Sequence, residues 1–465
     1  MRLFTYTITD VDPAQIFSTL SAMPYSLWFD SARPENPLNK FSYLCWQPFE
    51  IIENKDSRTR VTNREFQFTF NSDPFTLLKN RMDLWAERMA DADPSLPPFQ
   101  GGAAGYFGYD LARQIERLPG HAQPHDLPDM AIGLYDQVIA FEHDTGRMTL
   151  MIHAESEKTA LVKKEMVLGQ VQAAPAMSDT PLSWTPDCDD DTYEKKIAKV
   201  VNYIHAGDIF QGCLSRRFTA QRPEKFDSFA HYMSLRETNP APFGGYMNFG
   251  DFQLGSSSPE RFLKVDGRDV ETRPIKGTRR ANVDEREDAL IRDGLLTSEK
   301  DRAENAMIVD LLRNDLSKVC EDHSISVPVL CGLETYEGLH HLVSVVRGTL
   351  RADQGPVDLM RACFPGGSIT GTPKIRAMEI IEELEPNRRG PWCGSMGWVG
   401  FNGNMDSNIA IRTIVYTRDE IQLQAGSGIV ADSVPADELE ETRIKSDKLF
   451  ESFDIKIIHH DLAHR

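Results

Sequence analysis

Over the first 150 or so positions, short apolar runs alternate with turn residues. FSYLCWQPFEII, REFQFTF and AIGLYDQVIAFEHDTGRMTLMIH read as β-structure, and Asp144-Thr145-Gly146 in the last predicts a hairpin turn. Gln100 to Asp110 is glycine-rich but lacks the G-x-G-x-x-G spacing into a helix that a dinucleotide site uses; close strand packing accounts for its glycines. Between Glu155 and Asp190 a helical stretch gives way to AAPAMSDTPLSWTPDCDDD, whose Pro, Ser and Asp content predicts a linker or crossover. From Thr192 the period changes. YEKKIAKVVNYIHAGD places apolar residues at helical spacing and ends at Gly207, while FQGCLSRRFTA reads as a strand. Strands recur in GGYMNFGDFQLGSSS, GSMGWVGFNG and NIAIRTIVYTRDEIQLQAGSGIV, among helices. The mixture predicts an α+β fold with large, mostly antiparallel sheets, not a repeating βαβ barrel. The expected division is an N-terminal subdomain, 1–175, packed on a catalytic part, 185–460.

Composition narrows the class. At 465 residues, 40% hydrophobic and 26% charged, the chain can bury an ample core and is not broadly disordered. A net charge of −19 disfavours non-specific nucleic-acid binding and anionic membrane surfaces, yet leaves room for a locally basic pocket. The N-terminus shows no basic segment followed by an apolar one, and no apolar stretch approaches the roughly 20 residues of a spanning helix. Seven cysteines are scattered without a C-x-x-C pair, as expected of reduced thiols in a cytoplasmic protein. With no H-E-x-x-H either, the expected metal is a hard cation on carboxylates.

Four features carry candidate chemistry. Lys276 lies between Pro274 and a Gly-Thr pair, where backbone approaches something closely; a lysine held against apolar surface or another cation is a nucleophile. Glu260, in Ser258-Pro259-Glu260-Arg261-Phe262, is placed by a turn at a strand edge. Glu304 falls among Ala303, Ala306 and Met307 on a helix that starts near Ser298, where Ser298 and Asp301 resemble a capping box. On the final helix, with Ser433 as expected cap and Pro435 in its first turn, Glu438, Glu441 and Lys445 share one face: an ion ladder, or a seat for a divalent cation and its anion. Glycines in Pro365 to Lys374 suit an anion, but Thr372-Pro373 interrupt any P-loop.

PIKGT, SPERF, DRAENAMIVDLLRNDL, HHLVS, FPGGSITGTPK, IRT, AGSGIVADS and ELEETRIK stand in the order and spacing of the chorismate-utilising enzymes, which this chain resembles from about Tyr193 to Phe453 and more weakly before. The resemblance implies an anthranilate-synthase-component-I-like sandwich of large sheets flanked by helices. It also implies Mg²⁺ held by Glu304 and Glu441, with Glu438 beside them. Arg412, the backbone amides of Gly426, Ser427 and Gly428, and Lys445 would hold substrate carboxylates, and Thr278 would orient the ring. Lys276 resembles the lysine of the branch that forms 4-amino-4-deoxychorismate for folate synthesis, whereas anthranilate-forming large subunits typically carry alanine there. Lys276 would attack ring C2, and Glu260 would serve as general acid and later as base.

Gln211 replaces the lysine base of water-adding relatives, which favours ammonia as the nucleophile. His341 matches a histidine implicated in pyruvate elimination and does not by itself separate the two activities. No G-x-C-x-G glutaminase motif occurs, so a separate glutamine amidotransferase subunit is the expected ammonia source. Departures from the family pattern are Cys213 for Asn, Trp398 for a Tyr before strand hydrophobics, and Ser427 within the glycine loop. Ser31 falls in a region that holds tryptophan in several relatives.

Overall fold

The computed structural model describes residues 1–32, 38, 40–89, 92–169, 171, 173–175, 182–336 and 339–454. Residues 176–181 of the expected linker lie outside this set. Two sheets of twelve strands form the framework, and the ladders that build them are antiparallel. The two sheets face each other across one apolar layer. Leu27, Tyr43, Val138 and Leu254 come from the first sheet and Ala104, Tyr106, Met396 and Trp398 from the second. Helices cover both outer faces. Pro13–Leu20, Glu157–Leu168, Ser228–Thr238 and Pro435–Glu451 pack on the first sheet; Pro74–Ala86, Glu299–Ser317 and Pro356–Cys363 pack on the second. The predicted sandwich flanked by helices is the observed fold.

The strands form where the apolar runs predicted them. Gln137–Glu142 and Arg147–Ala154 make the hairpin, with Gly146 in the left-handed region at φ 67°. Each sheet draws strands from both sides of the linker. Ser26–Asp30 pairs with Gly244–Asn248 in the first sheet, and Gly102–Phe107 pairs with Ser395–Gly400 in the second. Close approach of the strands on either side explains the early glycines. Gly102 and Gly105 have φ of 147° and 154°, and a Cβ on either would lie 2.1 Å from a backbone oxygen of a neighbouring strand. Gly102–Phe107 is buried along its whole length because both sheet faces are covered, so its sequence shows no alternation.

Two strands and one loop build one wall of the site. Gln211–Gln221 runs beside Glu420–Ile429, with Cys213 opposite Gly428 and Ser215 opposite Gly426. The helix Asp190–His205 before this pair ends at Ala206, and Gly207 follows at φ 85°. Segment 366–372 adds a short bridge to Gln211 and Gly212 and then enters the helix Lys374–Leu384.

A buried ion pair ties these pieces together. Arg389 donates to both carboxylate oxygens of Glu385, at 2.9 and 2.7 Å, and also to the carbonyls of Ile369 at 2.8 Å and Cys213 at 2.9 Å. Glu385 in turn accepts from the backbone and hydroxyl of Ser215. The Arg389 guanidinium packs over Tyr109 and Trp392. Removing one partner of a buried pair leaves an uncompensated charge, at a cost of about 3–5 kcal/mol. Arg389→Met is therefore expected to lower the unfolding midpoint sharply in calorimetry. The double substitution Arg389→Met with Glu385→Leu is expected to recover part of that loss, and an unchanged midpoint in the single variant would contradict this account.

Candidate active site

A cavity of about 480 Å³ is lined by residues of both sheets. Its walls come from the turn before Arg261–Asp266, the strand Ile275–Arg280, the helices Glu299–Ser317 and Pro435–Glu451, the 368–369 turn and the strand Glu420–Ile429. Glu260, Lys276, Thr278, Glu304, His341 and Arg412 all line it. So do Gly426, Ser427, Gly428, Glu441 and Lys445. Gln211 and Glu438 stand one layer behind. A Cβ on Gly428 would lie 2.6 Å from Gln211 Nε2 and 3.4 Å from Lys276 Nζ, so a glycine there lets the amide and the ammonium close on the same wall.

Lys276 occupies the electrostatic centre. Its ammonium acts on the carboxyl groups of Glu260, Glu304 and Glu441 together, and its Nζ donates to the Ser368 carbonyl at 3.4 Å. Glu260 is buried, and desolvation pushes its pKa up to about 7; a hydrogen bond from Ser368 and the Lys276 charge oppose the rise. Arg261 does not pair with Glu260. Its guanidinium donates to both oxygens of Asp406, at 3.0 and 2.9 Å, which leaves Glu260 turned to the cavity.

The carboxylates at the other end differ from one another. Glu304 titrates high because burial disfavours its charge and Asp301 and Glu438 add repulsion, against the pull of Lys276 and Lys300. Glu441 is held low despite desolvation, because Lys445 pairs with it at 2.6 Å and Lys276 and Lys300 add attraction. Glu438 is buried. One of its oxygens accepts from Ser433 at 2.6 Å, and the other has no partner among the described residues. An orphaned carboxylate oxygen beside a carboxyl group crowded by like charge is an arrangement that a cation relieves. No set of three such groups converges tightly enough to hold a metal ion unaided among the described residues.

On the opposite side Thr278 Oγ1 and His341 Nδ1 are 2.9 Å apart. Burial, Arg412 and His340 press the His341 pKa down to about 4, so the ring is neutral near pH 7. Arg412 has φ 49°, a left-handed backbone that turns its side chain toward the cavity wall. Lys445 also donates to the Gly426 carbonyl at 3.1 Å.

Two expectations change. Ser433 does not cap the final helix; Val434 occupies that position without a side-chain bond, and Ser433 orients Glu438 instead. The Ser298–Asp301 box is half formed: Ser298 accepts from the Asp301 amide, but the Asp301 carboxylate pairs with Arg279 at 2.9 Å. Trp398 lines a different cavity, and Trp392 is the aromatic in this wall, with an indole N–H that lacks a partner among the described residues. Ser368, Trp392 and Cys393 are cavity residues that sequence reasoning missed, although Ser368 sits inside a motif already singled out. The second cavity, about 180 Å³, lies beside Ser31: Phe29, Asp30, Tyr43, Lys264 and Asp406 line it, while Ser31 itself is buried.

The chorismate binding enzyme family matches residues 25–451, and the chain belongs to that family. It is 39% identical to aminodeoxychorismate synthase component 1 of Klebsiella aerogenes over 93% of this chain and 94% of the relative. It is also 39% identical to anthranilate synthase component 1 of Thermus thermophilus, over 82% of this chain and 83% of that one. The crystal structure of anthranilate synthase component I from Streptococcus pneumoniae superposes with a TM-score of 0.78 at 30% identity, covering 89% of this chain and 93% of the other. The chain is thus related to enzymes that act on chorismate, and overall identity alone does not separate the two activities. Among the described residues no helix is long and apolar enough to cross a membrane.

The Glu260 shift has a sign that calorimetry can read. A carboxyl whose folded pKa lies above its unfolded value stabilises the fold fully below the unfolded pKa, and that contribution is lost as pH rises through about 7. Glu260→Gln is accordingly expected to match the wild type near pH 4 and to exceed it at pH 8, by about 3 kcal/mol at most. Equal stability at both pH values would refute a raised Glu260 pKa.

Proposed function

We propose that this chain is the chorismate-converting component of an aminodeoxychorismate synthase, joining ammonia to chorismate to give 4-amino-4-deoxychorismate for 4-aminobenzoate and folate synthesis. The observation that carries the reading is Lys276, a primary amine in the cavity wall with Glu260 and the Ser368 carbonyl beside it. Having passed its ammonium proton to a neighbouring group once chorismate is bound, its ε-amine would bond to ring C2 while the ring double bonds shift and the C4–O bond breaks. Glu260, protonated below about pH 7, would give its proton to the leaving hydroxyl, which departs as water. Ammonia would then bond to C4 and pass a proton to the Glu260 carboxylate, the double bonds would return, and the C2–N bond to Lys276 would break with a proton restored to the amine. Release of the lysine regenerates the enzyme.

The carboxylates of chorismate would meet Arg412, Lys445 and the amides of the 426–428 strand; a guanidinium fork suits a carboxylate bidentately. Thr278, bonded to neutral His341, would orient the ring. Glu304 and Glu441, with Glu438 behind them, would hold Mg²⁺, whose charge offsets the carboxylates crowded at that end. Gln211 supplies no base for water, which favours ammonia. A separate glutamine amidotransferase subunit would supply that ammonia, and the enzyme would work in the cytoplasm.

Mass spectrometry of the protein with chorismate and Mg²⁺, without ammonia, is expected to show an adduct on Lys276 that is absent in Lys276→Ala. Added ammonia is expected to yield 4-amino-4-deoxychorismate, with kcat lower by roughly 10²–10⁴-fold in Glu260→Gln. Anthranilate as the product, or full turnover in Lys276→Ala, would overturn the reading.

A further inference from the structure

The N-terminal turn of the helix Asp190–His205 touches two elements of the candidate site, the strand Gln211–Gln221 and the final helix Pro435–Glu451. Tyr193 makes the inner contact. Its side chain is fully buried, and its hydroxyl donates to the Leu214 carbonyl at 3.0 Å and lies 3.3 Å from the Thr442 hydroxyl. Thr442 is also within reach of the Glu438 carbonyl, at 2.9 Å. Asp190 makes the outer contact: its carboxylate accepts from Arg216 of the strand at 2.5 Å and from Arg443 of the final helix at 2.6 Å. The Leu214 carbonyl also faces Gly426 on the neighbouring strand, where a Cβ would lie 2.2 Å from it. The Gly426 carbonyl accepts from Lys445 at 3.1 Å.

We propose that Tyr193 is a positioning residue, its hydroxyl setting the final helix against the strand pair so that Glu438, Glu441 and Lys445 keep their places beside the 426–428 segment. The proposal rests on the reading of that helix as the seat of a substrate carboxylate and a cation. Thr442 adjoins Glu441 and lies about one turn from both Glu438 and Lys445, so a hold on Thr442 fixes the part of the helix that carries all three. The packing around it, from Ile197, Val200, Leu214, Ile429 and Leu439, is apolar and without direction. The phenol supplies the direction, because a buried hydroxyl left without its partner is costly and only one placement of the helix satisfies it. The ion pairs of Asp190 add little precision: the Asp190 and Arg443 side chains are half-exposed, and exposed pairs are weak. Lys276 and Glu260 are carried by strands and turns of the other sheet, so the hold acts on substrate binding and not on the amine or the acid.

The test compares wild type, Tyr193→Phe, Thr442→Val and the double variant, with Ile197→Val as a control for lost packing in the same helix. Tyr193→Phe removes the hydroxyl and keeps the ring. In turnover with chorismate, ammonia and Mg²⁺, its KM for chorismate is expected to rise roughly three- to tenfold, with kcat within about twofold of wild type. The double variant is expected to match the worse single variant, because the two hydroxyls serve one contact. Ile197 is fully buried, and Ile197→Val is expected to lower the unfolding midpoint while leaving KM in place. Hydrogen exchange needs no substrate: amides of 438–445 are expected to exchange faster in Tyr193→Phe than in wild type or Ile197→Val. A KM in Tyr193→Phe no higher than in Ile197→Val, or unaltered exchange across 438–445, would overturn the proposal. If Tyr193→Phe does not fold, Thr442→Val carries both measurements with the same outcomes expected. A wild type that leaves chorismate untouched refutes the functional reading, whereas exchange in the final helix still decides the contact.

Discussion

The buried pair between Arg389 and Glu385 is the interaction on which the site's geometry depends. One guanidinium spans a helix end, a strand carbonyl and the turn that carries Ser368, while its carboxylate partner holds the amide and hydroxyl of Ser215. Such a charge is tolerable in the interior only because its donors reach acceptors and its face is covered by Tyr109 and Trp392. The same feature makes the support stiff. Strand Gln211–Gln221 and loop 366–372 cannot shift independently without breaking an ionic hydrogen bond in a low-dielectric environment.

That stiffness matters because the cavity sets opposing charges close together. A lysine, an arginine and further ammonium groups face Glu260, Glu304 and Glu441, and the balance differs at each carboxyl group. Desolvation dominates at Glu260 and leaves an acid near neutrality. At Glu441 desolvation is outweighed by Lys445, Lys276 and Lys300 together, which hold the carboxyl group low. Glu304 lies between them, crowded by like charges at the end where a divalent cation is proposed. One cavity thereby divides into an end suited to proton transfer and an end suited to an anionic, metal-linked substrate.

Much of this was legible in the chain. Apolar runs with turn residues predicted antiparallel sheets, and Asp144-Thr145-Gly146 predicted its hairpin, because these depend on local alternation and on a glycine-compatible φ. Motif order brought Glu260, Lys276, Glu304 and Glu441 into one site. Capping was less legible: Ser433 fits a cap in sequence, but its hydroxyl turns to Glu438, a choice between two partners made by the packing of strand end and helix. Trp392 and Trp398 are six positions apart in a glycine-rich segment, and only the direction of the strand tells which cavity each wall residue meets.

The sequence by itself determined which chemistries are present: an amine in a turn, carboxylates at helical spacing, glycines where backbone must approach, and the order of motifs that marks the family. These are properties of residues and their near neighbours. The tertiary structure decided what long-range pairing controls. It joined strands from both sides of the linker into each sheet, at Ser26–Asp30 with Gly244–Asn248 and at Gly102–Phe107 with Ser395–Gly400. It also buried Glu260 while leaving Glu441 half-exposed, and brought the Ser368 carbonyl to an amine far away in sequence. Desolvation and charge coupling depend on what packs around a group in space, and local sequence carries no measure of that.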